Sequence, residues 1–184
     1  MQIQHLIQQC KQQNITAQKC LYDMLCNQMF LLCRRYVKND EIAEELMMNG
    51  FLQTFKSLHN FTYRDDNSTI AFIKKIMVNE CLQLLRKNQN FLMIALDDAD
   101  NISINDTVFE KISVEEIYYF ITQLPSGYKT IFNLYAIEGY THKEIALMLQ
   151  ITEGTSKSQL HKAKLMLQEL IIKNNNLYED RKSK

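Results

Sequence analysis

Helix breakers are almost missing from this chain: its 184 residues include one proline and four glycines. A fold built on tight turns needs far more of both, because these residues supply the backbone angles that turns demand. The long stretches between them carry apolar residues at helical period. Ala43–Phe55 (interrupted only by Gly50), Ile70–Arg86 and Thr155–Ile172 are the clearest. The pattern predicts an all-α protein. With 46% hydrophobic residues the chain can build a core, and its length admits one domain or two small ones.

Charge divides the chain. Residues 1–90 carry 11 Lys and Arg against 8 Asp and Glu, residues 91–116 one against seven, and residues 117–184 nine against six. A net charge of zero thus conceals two mildly basic segments flanking an acidic one, a segregation that carries information about partners. The acidic stretch, centred on Leu96-Asp97-Asp98-Ala99-Asp100-Asn101, has no sustained periodicity and reads as a linker. The expected organisation is a helical domain over 1–90, a linker over 91–112, a second helical domain over 113–174 and a frayed tail over 175–184. In the first domain helices are expected near 15–36, 40–57 and 70–88, with a short one before residue 14. Asn39 or Asp40 is placed to cap the second of these, and Ser68 or Thr69 the third. In the second domain they are expected near 113–122, 126–137, 141–149 and 153–173.

No apolar run approaches the 18 residues of a membrane span, and Met1–Gln13 is glutamine-rich without a signal-peptide core. A cytoplasmic location without membrane insertion is expected. The five cysteines (Cys10, Cys20, Cys26, Cys33 and Cys81) contain no CxxC pair, so they read as small core residues and no metal site is expected. Catalytic signatures such as HExxH, GxSxG or a P-loop are absent, and the four histidines are scattered. No catalytic residue and no cofactor are expected, and an enzyme has little to stand on.

The residues that do carry chemistry lie on helices. Glu138 to Lys157 reads as a helix, a turn of three or four residues and a second helix. Ile145, Ala146 and Leu149 form its first apolar stripe. Thr152 offers a hydroxyl cap to the next helix, strengthened by Thr155, and Leu160, Ala163, Leu167 and Leu170 form the second stripe. Off that stripe lie Lys157, Ser158, His161 and Lys162, with the flanking Gln159, groups that contact phosphates and base edges; Thr155 and Ser156 at the start of the helix join them as candidate DNA contacts. On the Ile70–Arg86 helix, Ile73, Ile76, Met77, Cys81 and Leu84 form the apolar stripe. Phe72, Lys75, Asn79, Gln83 and Arg86 share another face, which suits a nucleic-acid backbone with stacked bases; a solvated amphipathic face with Phe72 turned inward is the plainer reading. Phe61 and Tyr63 are unusual in a mere connector. On the helix from Asp40, residues Leu46, Phe51, Leu52 and Phe55 can reach the core, while Met47, Met48 and Asn49 lie around the rest beside the acids Asp40, Glu41, Glu44 and Glu45. Met and acid together suit a protein partner, and Met as core filler suits the same pattern.

Two blocks in order resemble the two domains of an extracytoplasmic-function (ECF) sigma factor of the sigma-70 family, a subunit of bacterial RNA polymerase. The first runs from Arg35 through Ala43-Glu44-Glu45-Leu46 to Phe51, followed by Phe72-Ile73-Lys74-Lys75-Ile76-Met77-Val78-Asn79 and Leu85-Arg86-Lys87. The second comprises Leu124-Pro125, Phe132-Asn133-Leu134, Glu138-Gly139-Tyr140-Thr141, Glu144-Ile145-Ala146, Leu149 and Gly154-Thr155. The resemblance implies that Asp40, Glu41, Glu44, Glu45, Met48 and Asn49 bind core RNA polymerase. It implies that Phe61, Tyr63, Phe72, Lys75, Asn79, Gln83 and Arg86 open and hold the −10 element of promoter DNA. The helix from Thr155 would read the −35 element in the major groove, and the acidic linker would lie near the RNA path. An anti-sigma factor is the implied regulator. Met48 and Asn49 replace the family's Gln and Glu, Phe72 its Trp, and Lys129 an expected Arg. Lysines at 157, 162 and 164, with Gln159, stand at arginine-rich positions, which favours phosphate contact over guanine reading. Two other readings remain open: a free-standing helix-turn-helix regulator that binds duplex DNA without polymerase, and a helical interaction protein with no nucleic-acid role.

Overall fold

The computed structural model describes residues 3–87 and 113–182, and the expected linker over 91–112 lies outside them. Helices carry nearly all of it, and no strand occurs among the described residues. The chain divides into two compact units, Met1–Lys87 and Asn88–Lys184. No helix among the described residues is long and apolar enough to cross a membrane.

The first unit contains α1 (Ile3–Lys11), α2 (Ile15–Tyr36), α3 (Asp40–Ser57), a 3-10 turn (Leu58–Asn60) and α4 (Asp66–Lys87). Side-chain caps set the starts. Asn14 Oδ1 accepts from the Ala17 amide at 3.1 Å, and Asn39 Oδ1 from the Ile42 amide at 2.9 Å, each satisfying one orphan donor of a first turn. The α4 helix begins four residues earlier than its periodicity suggests, because its cap is Asp65 rather than Ser68 or Thr69. Asp65 Oδ1 accepts from the Ser68 amide at 2.6 Å, and Ser68 Oγ accepts in return from the Asp65 amide at 3.2 Å. The core is filled by Leu21, Met29, Leu32 and Tyr36 of α2, Leu46, Met47 and Phe51 of α3, and Ile73, Met77, Cys81 and Leu82 of α4. Tyr22 meets Phe51 edge to face with centroids 4.9 Å apart. Gly50 lets α3 and α4 approach closely, since a Cβ there would lie 2.9 Å from Met77 Cε and nearer still to its sulfur.

The second unit contains α5 (Val114–Gln123), α6 (Ser126–Phe132), α7 (His142–Leu149) and α8 (Glu153–Lys182). Ser113 and Glu116 form a reciprocal capping box on α5, and those bonds hold the Glu116 carboxyl below its usual range. The helix expected over 126–137 is not uniform: its last turn, Asn133–Ile137, is a π-turn closed by the Glu138 amide bonding Asn133 O at 2.9 Å. Helix α8 continues to Lys182 where a frayed tail was expected. No proline or glycine follows Ile172, and asparagines lower helix propensity by only about 0.7 kcal/mol each, too little to force an end.

Candidate nucleic-acid interface

In the first unit the polypeptide leaves the 3-10 turn with the Phe61 amide bonded to Leu58 O at 3.0 Å and runs extended into the Asp65 cap. This path lays the Phe61 ring on Phe72, nearly two turns into α4, with centroids 4.5 Å apart and planes 26° from parallel. Neither inward rotation of Phe72 nor full exposure results; both rings are half-buried. Beside them opens a groove of about 530 Å³, lined also by Ser57, His59, Asn60, Thr62, Arg64 and Ser68. Lys75, Asn79, Gln83 and Arg86 continue from Phe72 along α4 and all four are exposed, while Ile73, Met77 and Cys81 point inward. Ile76 and Leu84, expected in the buried stripe, are half-exposed at its margin. Tyr63 is half-buried, and its hydroxyl donates to Asp66 Oδ1 at 2.7 Å, which raises its pKa. Sequence reasoning missed His59, Asn60, Thr62 and Arg64 as groove residues. Loop residues have no period to betray which way they face, and the one available signal was aromatic residues within a polar connector.

On α3, Asp40, Glu41, Glu44, Glu45, Met48 and Asn49 are all exposed. Ile42 (38%) and Leu52 (54%) stand out beside them, so acids and apolar side chains share one solvent face. Leu52 was expected to reach the core and does not; Met47 is buried in its stead. Positions 43, 46, 47, 50, 51 and 54 form the inward stripe of α3, and Leu52 falls outside it. Arg34 Nε pairs with Asp40 at 2.8 Å, but both are more than half exposed, so the pair contributes little stability.

In the second unit, Thr141 and Glu144 cap α7 reciprocally: the Thr141 amide donates to Glu144 Oε2 at 2.8 Å and the Glu144 amide to Thr141 Oγ1 at 3.3 Å. The helix ends on Gln150 in the left-handed conformation (φ 57°). Two residues later Thr152 Oγ1 accepts from the Thr155 amide at 3.0 Å to start α8. Ile145, Ala146 and Leu149 of α7 are buried where it packs on α8, and Leu160, Ala163 and Leu167 of α8 are buried too; Ile171 is fully buried and Leu170 only half so. Lys157 and Ser158 are exposed, and Thr155, His161 and Lys162 are half-buried. Two expected groove contacts are corrected. Ser156 is fully buried and its hydroxyl meets His142 Nδ1 at 2.9 Å, while Gln159 is 7% exposed with its Oε1 enclosed. Both belong to the inward stripe of α8, because 156, 160, 163 and 167 recur at helical spacing and 159 flanks them. His142 stacks on Tyr135 with centroids 4.5 Å apart. Burial, reinforced by the Lys157 ammonium and only opposed by Glu153, pushes the His142 pKa down. Lys129 is also buried, within the inward run Lys129–Leu134.

The geometry defines a helical protein with a helix-turn-helix in one unit and an aromatic groove beside an amide- and cation-bearing helix in the other. The family models agree unit by unit. That of sigma-70 region 2 matches residues 21–91 and that of sigma-70, region 4 matches 114–167, together more than half of the chain. ECF RNA polymerase sigma factor SigM of Bacillus subtilis is 21% identical over 82% of this chain and 92% of its own. SigW of the same species is 24% identical over 89% and 94%, and the sigma-E factor of Haemophilus influenzae is 24% identical over 91% and 94%. Among solved structures, CnrH in complex with the cytosolic domain of CnrY has a TM-score of 0.49 at 17% identity, covering 90% of this chain and 94% of that one. The chain belongs to the ECF group of the sigma-70 family. It is a sigma factor that binds core RNA polymerase and directs promoter-specific transcription initiation.

Proposed function

We propose that the work is divided by unit. Residues 1–90 bind core polymerase through the α3 face (Asp40, Glu41, Glu44, Glu45, Met48 and Asn49) and receive the unpaired −10 strand on Phe61, Tyr63, Phe72, Lys75, Asn79, Gln83 and Arg86. Residues 113–174 read the −35 element through Thr155, Lys157, Ser158, His161 and Lys162. The observation that carries this reading is the continuity of the Phe61–Phe72 stack and its groove with the exposed Lys75, Asn79, Gln83 and Arg86. Stacked rings accept an unstacked base of any identity, amides select among base edges, and cations hold the backbone. The protein acts by binding and melting rather than by catalysis, and it does so in the cytoplasm. An anti-sigma factor would inhibit it by covering the mixed acidic and apolar α3 surface, where Ile42, Met48 and Leu52 stand exposed.

The test uses holoenzyme on a cognate promoter. Asn79→Ala and Phe61→Ala should leave core binding and duplex contact intact while reducing permanganate reactivity of thymines in the bubble. Full reactivity in both variants would remove this surface from melting. Tight duplex binding by the isolated chain with no affinity for polymerase would instead favour a free-standing regulator.

A further inference from the structure

Helix α1 lies before the residues matched by the region 2 family model, which begin at position 21. It is nevertheless built into the unit. Leu6, Ile7 and Cys10 are buried, and the helix turns sharply into α2 through Gln13 in the left-handed conformation (φ 59°). Gln12 and Asn14 amides both return to Gln9 O, at 3.0 and 3.2 Å, and the Asn14 side chain then caps α2. A non-glycine residue in that conformation persists only where its surroundings hold it. This corner fixes the last turn of α1, and there Lys11 Nζ donates to the Phe61 carbonyl at 2.6 Å across 50 residues of sequence.

Phe61 is therefore tethered three ways. Its amide is bonded to Leu58 O, its carbonyl to Lys11, and its ring is stacked on Phe72. We infer that α1 is a brace for the strand-binding loop, with Lys11 as a positioning residue that sets the Phe61 backbone and so preorganises the aromatic groove for an unstacked base of single-stranded DNA. A loop ordered before binding does not lose that freedom on binding, so the strand is held more tightly for the same contacts. The lysine reaches the loop through its main chain, which makes the brace independent of the side chains that touch DNA. The inference rests on the reading that the Phe61 loop receives the unpaired strand.

The experiment uses holoenzyme assembled from the full chain and a single-stranded oligonucleotide carrying the non-template −10 sequence. Lys11→Met should weaken that binding about fivefold, the size of one ordinary net hydrogen bond. Lys11→Arg should restore it, and amides of residues 61–64 should exchange faster in Lys11→Met than in either the arginine variant or the wild type. The salt dependence should keep its slope. Were Lys11 itself a phosphate contact, the slope would drop by about 0.7, and the positioning role would fall. Wild-type binding by Lys11→Met alongside lost binding by Phe61→Ala overturns the brace alone. Wild-type binding by both overturns the loop's role, and the brace with it.

Discussion

Replacing Gly50 by alanine sets two effects of opposite sign against each other. Gly50 lies inside α3, where alanine is favoured over glycine by about 1 kcal/mol. It also faces Met77 of α4, so that a new Cβ would stand 2.9 Å from Cε and closer to the sulfur. Met77 is fully buried, so the clash must be met by a shift of its flexible end within the core. Overpacking of this kind costs about 1–3 kcal/mol, and methionine's flexibility puts the cost in the lower half of that range. The net expectation is a loss of about 0.5 kcal/mol. Met77→Ala alone should cost about 2–5 kcal/mol by leaving a cavity. In that background the clash is gone, so Gly50→Ala should become stabilising by about 1 kcal/mol, giving a coupling of about 1.5 kcal/mol. Amide exchange of the buried α3 and α4 backbone gives the stability of this unit by itself for all four proteins. An effect of Gly50→Ala that agrees in both backgrounds within about 0.5 kcal/mol would refute close helix approach as the reason for the glycine.

Three further outcomes are expected. Glu144→Ala breaks the α7 capping box and should cost the second unit about 1 kcal/mol, read by amide exchange of α7 and α8; an unchanged value would show that the box adds nothing. The His142 pKa is pushed below the ordinary 6.5, so the unfolded chain takes up its proton first as pH falls. The second unit should then lose stability from about pH 6.5 downward until the folded imidazole also protonates. His142→Gln should flatten that part of the profile, and an identical profile would exclude the histidine. Lys157→Ala should lower the salt slope of promoter binding by about 0.9 for one duplex phosphate, whereas an unchanged slope would remove Lys157 from the backbone contacts.

Much of the fold was legible because helices announce themselves locally. The runs ending at Tyr36 and Ser57 have the expected bounds, and Asn39 and Thr152 cap where their side chains suggest. Errors arose where the decision was not local. Ser68 looked like a cap until Asp65 took that role, an exchange that depends on the path of the preceding loop. Met47 and Leu52 traded places because two apolar residues on one helix look alike until the facing helix selects a stripe.

The sequence by itself determined the helical class, the approximate positions of most helices and the family, since periodicity, capping chemistry and motif order are properties of neighbouring residues. Only the tertiary structure decided which polar groups face outward. Ser156 and Gln159 turn inward because α8 must cover α7, and Ser156 finds its partner 14 residues away in His142. The same holds for the groove: Phe61, Phe72 and Lys11 meet only because α1, the 3-10 turn and α4 are packed together. Contacts across 50 residues have no period, and packing alone creates them.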